Sequence, residues 1–311
     1  MNISAISSND KTSLFQFPDI NKKIVLLKKE WNNLQSDLKN GRFVYSDINT
    51  ALTTPFLHEF NELFINKHGY KYFEKNLNTI FKNYYVGRGI VLGDGEPKCK
   101  PQYQRFIPDS NYIKSPNRFS PKGKDWLYLS ICSPKVPSSL KNIIFCSKAE
   151  CRVSDSDSFY FCKFKSTKSN KKIIDLTQNI DSTFDSINNN LTSEALRTVK
   201  KDVALKKESI NNLEDIINNC NELSKKQINE LQIKHLVISL TKMLSETLFN
   251  PINTKDKELI YAPFHCIAQY FLSLNYSGII YKSTVYNSAK NMVLFDKTLA
   301  IPFGLIMNIH V

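Results

Sequence analysis

The sequence predicts an α+β fold: a mixed sheet core, a helical N-terminal region over residues 1–83 and a helical insertion around 183–260. Three observations carry this. Apolar residues recur at three- and four-residue steps before residue 84, short β-like runs crowd the stretch after it, and helical periodicity returns between Asn190 and Leu248. Strands and helices in so irregular an order suit a mixed core and not a doubly wound parallel sheet.

In IVLLKKEWNNLQSDL, Ile24, Leu27, Trp31 and Leu34 form one stripe of an amphipathic helix. Phe56, Phe60, Leu63 and Phe64 form a second after Pro55. His58 and His68 have no arginine at the four-to-six-residue spacing of a helical-bundle nuclease motif, so this region reads as a packing or partner domain. YYVGRGIVLGDGEP, from Tyr84, holds four of the nine glycines and reads as turns and close backbone approaches. It lacks the Lys-Ser/Thr of a P-loop and the glycine spacing of a dinucleotide fingerprint.

Short strands are expected near 126–131, 142–146, 159–164 and 172–176. Ile228, Leu231, His235, Ile238 and Met243 then share one helical face, on which His235 reads as a satisfied core histidine. YAPFHCIAQYFLSLNYSG predicts a helix starting near Pro263, and GIIYKS, NMVLF and the apolar C-terminal stretch predict strands, the last a buried one.

Composition bounds the function. The chain has 311 residues, 41% hydrophobic, with a net charge of +13, so phosphate-bearing partners suit it while a disordered chain does not. Its basic residues are scattered, and no helix-turn-helix or zinc pattern accompanies them, which argues against a specific nucleic-acid binder. No run approaches a membrane span, and the start lacks the pattern of a secretory signal. The seven cysteines form no C-x-x-C pair, so no metal is expected and reduced thiols in a cytoplasmic setting are.

Arg118 and Tyr128 in NRFSPKGKDWLYLS, Glu150 in SKAECRV and Ser283 in SGIIYKSTVYNSAKNMVLF stand beside short apolar runs. Together they supply what a pocket for a charged nucleotide needs. These segments resemble the RES-domain family, named for an Arg, a Glu and a Ser, over residues 84–310. RFSPKGKDWLYLS is similar to its Arg-aromatic-Asn/Ser-Pro-x-Gly segment, AECRV to its Ala-x-x-Glu-x-Arg segment, and GIIYKS with NMVLF to its closing strands. Arg88 in YYVGRGI resembles its early arginine.

The resemblance implies an ADP-ribosyltransferase-like fold and a toxin of a toxin–antitoxin pair, with NAD as substrate, a protein antitoxin as possible partner and no membrane. It makes Glu150, Ser283 and Arg118 catalytic, and Arg88, Arg118, Tyr128 and Ser283 NAD-binding. Cleaving the nicotinamide–ribose bond builds an oxocarbenium-like cation, which a carboxylate such as Glu150 stabilises. Guanidinium groups suit the pyrophosphate, a tyrosine ring can stack on a flat ring, and a serine can hydrogen-bond the ribose or carboxamide. NAD cleavage with water or phosphate as acceptor is the expected activity. ADP-ribosylation of a protein target and, in another class, basic nucleic-acid binding are the alternatives.

Overall fold

The computed structural model describes residues 20–309 except 43, 94–95, 97–98, 155–156, 168–169, 179–182, 200–221 and 249–256. Its elements in chain order are α1 (Ile20–Lys39), α2 (Ile48–Leu52), α3 (Pro55–Asn61), β1 (Glu74–Asn76), α4 (Leu77–Asn83), β2 (Tyr85–Val91), β3 (Leu127–Cys132) and α5 (Ser139–Glu150). There follow β4 (Phe159–Ser166), β5 (Lys172–Asp175), α6 (Phe184–Val199), α7 (Glu222–Leu248), α8 (Lys257–Ser273), β6 (Gly278–Lys282), β7 (Lys290–Leu294) and β8 (Ala300–Ile309). The eight strands form one sheet in the order β1-β5-β6-β7-β3-β2-β4-β8. Only the β5–β6 pair is parallel, so the fold is α+β with a mixed sheet.

Alternation along the central strands feeds two cores. Ile174, Ile279, Tyr281 and Val293 face the helices, packing with Leu27, Trp31, Phe60 and Phe64 from the N-terminal region and with Val237, Leu240, Ile267 and Phe271 of α7 and α8. Their strand neighbours Ile173, Ile280, Met292 and Leu294 face the opposite way, onto Leu77, Ile80 and Phe106. The N-terminal helices and the helices of the insertion therefore share one core. The N-terminal region also contributes β1, which pairs with β5 through Glu74–Asn76. A third, smaller core lies under α5, where Ile143 and Cys146 meet Phe159 and Phe161.

Four expectations change. NIIFC belongs to α5, not to a strand: its apolar run lacks alternation, and Ile143 and Cys146, three apart, form the buried face of the helix while Phe145 is exposed. YVGRGIV is a strand, not a set of turns. Gly87 and Gly89 do serve a close approach, since a Cβ at either would run into the rings of Phe161 and Phe159 across the β2–β4 pair. Helix α8 begins at Lys257 and carries Pro263 inside it. The C-terminal strand is an edge strand paired only with β4, leaving Ile301 at 42%, Phe303 at 38% and Leu305 at 70% exposure. The part of the expected helical stretch that falls on 200–221, and the stretch 249–256, lie outside the described residues.

His235 is buried on α7, as its helical face required, with Nε2 3.5 Å from Glu194 Oε2. Burial holds its pKa below the usual value. No helix among the described residues is long and apolar enough to cross a membrane.

Candidate active site

Strand β2 pairs with β3 only over Tyr85–Gly87 and with β4 over Gly87–Val91. Arg88 is the first residue beyond the β2–β3 pairing, and a cavity of about 460 Å³ lies at this parting. Arg88, Arg118, Tyr128 and Glu150, far apart in sequence, all line it. Ser283, only 2% exposed, stands behind the wall and reaches the cavity through Glu150.

Glu150 is the last residue of α5. The helix closes with backbone bonds from Arg152 N to Ala149 O at 3.1 Å and from Val153 N to Lys148 O at 3.4 Å, and Arg152 takes a left-handed φ of 51°. This is a Schellman-type stop whose left-handed position usually falls to glycine. A carboxylate at a helix C-terminus opposes the helix dipole, costing about 0.3–1 kcal/mol. Side chains from two other elements hold it there. Ser283 Oγ donates to Glu150 Oε1 at 2.8 Å, and Asn291 Nδ2 of β7 donates to the same oxygen. Glu150 Oε2 accepts no hydrogen bond among the described residues.

The support continues inward. Asn291 Oδ1 accepts from Ser130 Oγ at 3.4 Å, and Ser147 Oγ donates to Ser130 Oγ at 2.9 Å. Ser283 Oγ also accepts from the backbone N–H groups of Val285 and Tyr286, at 3.3 and 3.1 Å, so the turn after β6 fixes it in place. A buried serine bonded this way orients the carboxylate. Ser283→Ala therefore leaves Asn291 holding Glu150, and any turnover that depends on the Glu150 charge is expected to fall about tenfold, short of the loss on neutralising Glu150 itself. Initial rates for the two variants, measured side by side, check that order.

Arg118 precedes β3 on a loop pinned at several points. Its Nη2 donates to Thr284 Oγ1 at 3.3 Å. The Tyr128 hydroxyl accepts from the amides of Phe119 and Ser120 at 3.3 and 3.0 Å, and lies 3.0 Å from Ser120 Oγ. Burial pushes the Tyr128 phenol up to about 12. Its oxygen thus positions the Arg118 loop, while the residue still lines the cavity.

Arg88 has a buried Nη1 with no hydrogen-bond partner among the described residues. Burial lowers its pKa to about 10, which leaves it a cation at neutral pH. Cys151, beside it in the wall, has its thiol pushed up to about 11 by burial, which favours the neutral thiol over the thiolate. The lining carries three arginines, Arg88, Arg118 and Arg152, against one carboxylate, Glu150, a formal net of +2.

Sequence reasoning missed Asn291, Tyr261, Tyr281, Ser130 and Ser147. Asn291 left one signal, a polar residue in step with the inward-facing Val293 of an apolar strand. The others gave none, since their place depends on which strand or helix crosses which. Among the described residues, no group of three or more His, Cys, Asp or Glu side chains could hold a metal ion. Comparison with family models, curated proteins and solved structures finds no match for the chain.

Proposed function

We propose that this chain cleaves the nicotinamide–ribose bond of NAD, with water or phosphate as acceptor, and acts as a RES-type toxin of the cytoplasm held in check by a protein antitoxin. The observation that carries the reading is the meeting of Arg88, Arg118, Tyr128 and Glu150 in one cavity with Ser283 bonded to Glu150. A volume of about 460 Å³ falls within the range of small-molecule and cofactor sites. The net positive lining suits a pyrophosphate, whose oxygens an unpartnered guanidinium can bind through paired charge-assisted hydrogen bonds.

As nicotinamide leaves, positive charge grows on the ribose. Glu150, fixed through Oε1, offers its other oxygen to that charge without reorganising, the preorganised arrangement that lowers such barriers most. The acceptor then adds at the anomeric carbon. Water gives ADP-ribose and releases a proton, while phosphate gives the phosphorylated sugar.

The pure chain incubated with NAD, without added protein, is expected to release nicotinamide; chromatography of the products with and without phosphate identifies the acceptor. Unchanged NAD would overturn the reading. Negligible loss in isolation together with one labelled host protein would favour transfer to a protein instead.

A further inference from the structure

We infer that Tyr261, on helix α8, is the ring-stacking platform of the cavity, the surface against which a flat heteroaromatic ring of the dinucleotide lies; the inference rests on the NAD reading above. Three guanidinium groups and a carboxylate account for phosphates and a ribose, but they leave the rings of a nucleotide without a partner. Of the three tyrosines in the lining, two are committed elsewhere. The Tyr128 hydroxyl is taken by the Arg118 loop, and Tyr281 is buried with its ring centroid 4.8 Å from that of Phe119.

Tyr261 has neither the bonded hydroxyl of Tyr128 nor the full burial of Tyr281. It is half-buried, and its hydroxyl makes no hydrogen bond among the described residues. Its ring neighbours Phe264 and His265 stand edge-on to it, at centroid distances of 6.0 and 6.3 Å, so no parallel ring covers it among the described residues. Tyr261 and His265 are four residues apart, hence on one face of α8. His265 Nε2 donates to the carbonyl of Asn117 at 3.0 Å, and Asn117 adjoins Arg118. One helix face thus grips the arginine loop and presents an aromatic ring to the same cavity. The helix following the insertion is then part of the substrate site as well as of the core.

Stacking also decides what the cavity selects. A set of cations binds any compact polyanion, whereas a platform rewards only a ligand that carries a ring. Tyr261→Leu keeps an apolar side chain and removes the ring; Tyr261→Phe keeps the ring.

The test is calorimetric titration of the full chain carrying Glu150→Gln, to block turnover, with NAD, nicotinamide mononucleotide, ADP-ribose and inorganic pyrophosphate. Adding Tyr261→Leu is expected to weaken NAD about tenfold while pyrophosphate stays within about twofold, and Tyr261→Phe is expected to keep NAD within about threefold. The half-ligand that weakens alongside NAD tells whether nicotinamide or adenine occupies the platform. Undiminished NAD affinity in Tyr261→Leu overturns the assignment, as does an equal loss for all four ligands, which marks a purely structural role. If the parent binds none of the three nucleotides, the NAD reading falls and this one falls with it.

Discussion

Glu150→Gln is expected to lower NAD turnover by two decades or more in a chain that keeps its fold. The substitution is nearly isosteric, and the remaining carbonyl oxygen can still accept from Ser283 and Asn291. On the proposed reading, what disappears is the charge that would meet the developing cation, and one preorganised electrostatic group is worth about 10²–10³ in rate. The fold should even gain slightly, because a negative charge leaves the C-terminal end of α5. Initial rates paired with thermal melts check both halves. A folded variant that loses less than tenfold would remove Glu150 from the chemistry.

Arg88→Met should change stability and binding in opposite directions. Arg88 keeps a buried nitrogen without a partner, and its pKa near 10 lies below the ordinary arginine value. The sign follows: at every pH below about 10 the charged form is held less favourably in the fold than in the unfolded chain, so this cation is a net cost at neutrality. Replacing it with an apolar side chain of similar length is expected to raise stability by about 1–2 kcal/mol, a few degrees in Tm. On the NAD reading proposed above, the same change removes the charge-assisted contact assigned to phosphate and should weaken NAD binding roughly a hundredfold. Denaturation and titration of the one variant decide the matter. A less stable Arg88→Met protein would mean that the guanidinium is already satisfied within the fold.

These expectations draw on a site that was only partly legible in the sequence. Local periodicity carried α1 and α3, because Leu27, Trp31, Phe56 and Phe60 each repeat on one helix face and each is buried. Short apolar β-like runs carried β3, β4 and β7, whose residues are buried nearly throughout. Such reading failed where a short apolar run covers an exposed position as well as the buried face, as at Phe145 in NIIFC of α5, and where glycine replaces the apolar signal, as in β2. The edge position of β8 could not be read at all, since an apolar run does not say how many neighbours it has. Arg118, Tyr128, Glu150 and Ser283 could be picked out by the residues around them. Asn291 and Tyr261 could not, because what matters about them is a register across the sheet and a helix face turned toward a distant loop.

The bonds that define the cavity join residues very far apart along the chain: Ser283 to Glu150 over 133 positions, Asn291 to Glu150 over 141, His265 to Asn117 over 148 and Arg118 to Thr284 over 166. Closing such long loops is entropically expensive until the intervening segments have folded, so contacts of this kind form late. During synthesis the carboxylate emerges from the ribosome long before either group that fixes it, and β7 must appear before the pocket has a floor. A partly made chain therefore holds Glu150 on an unsupported helix end, and the pocket is assembled only once Ser283 and Asn291 have been added.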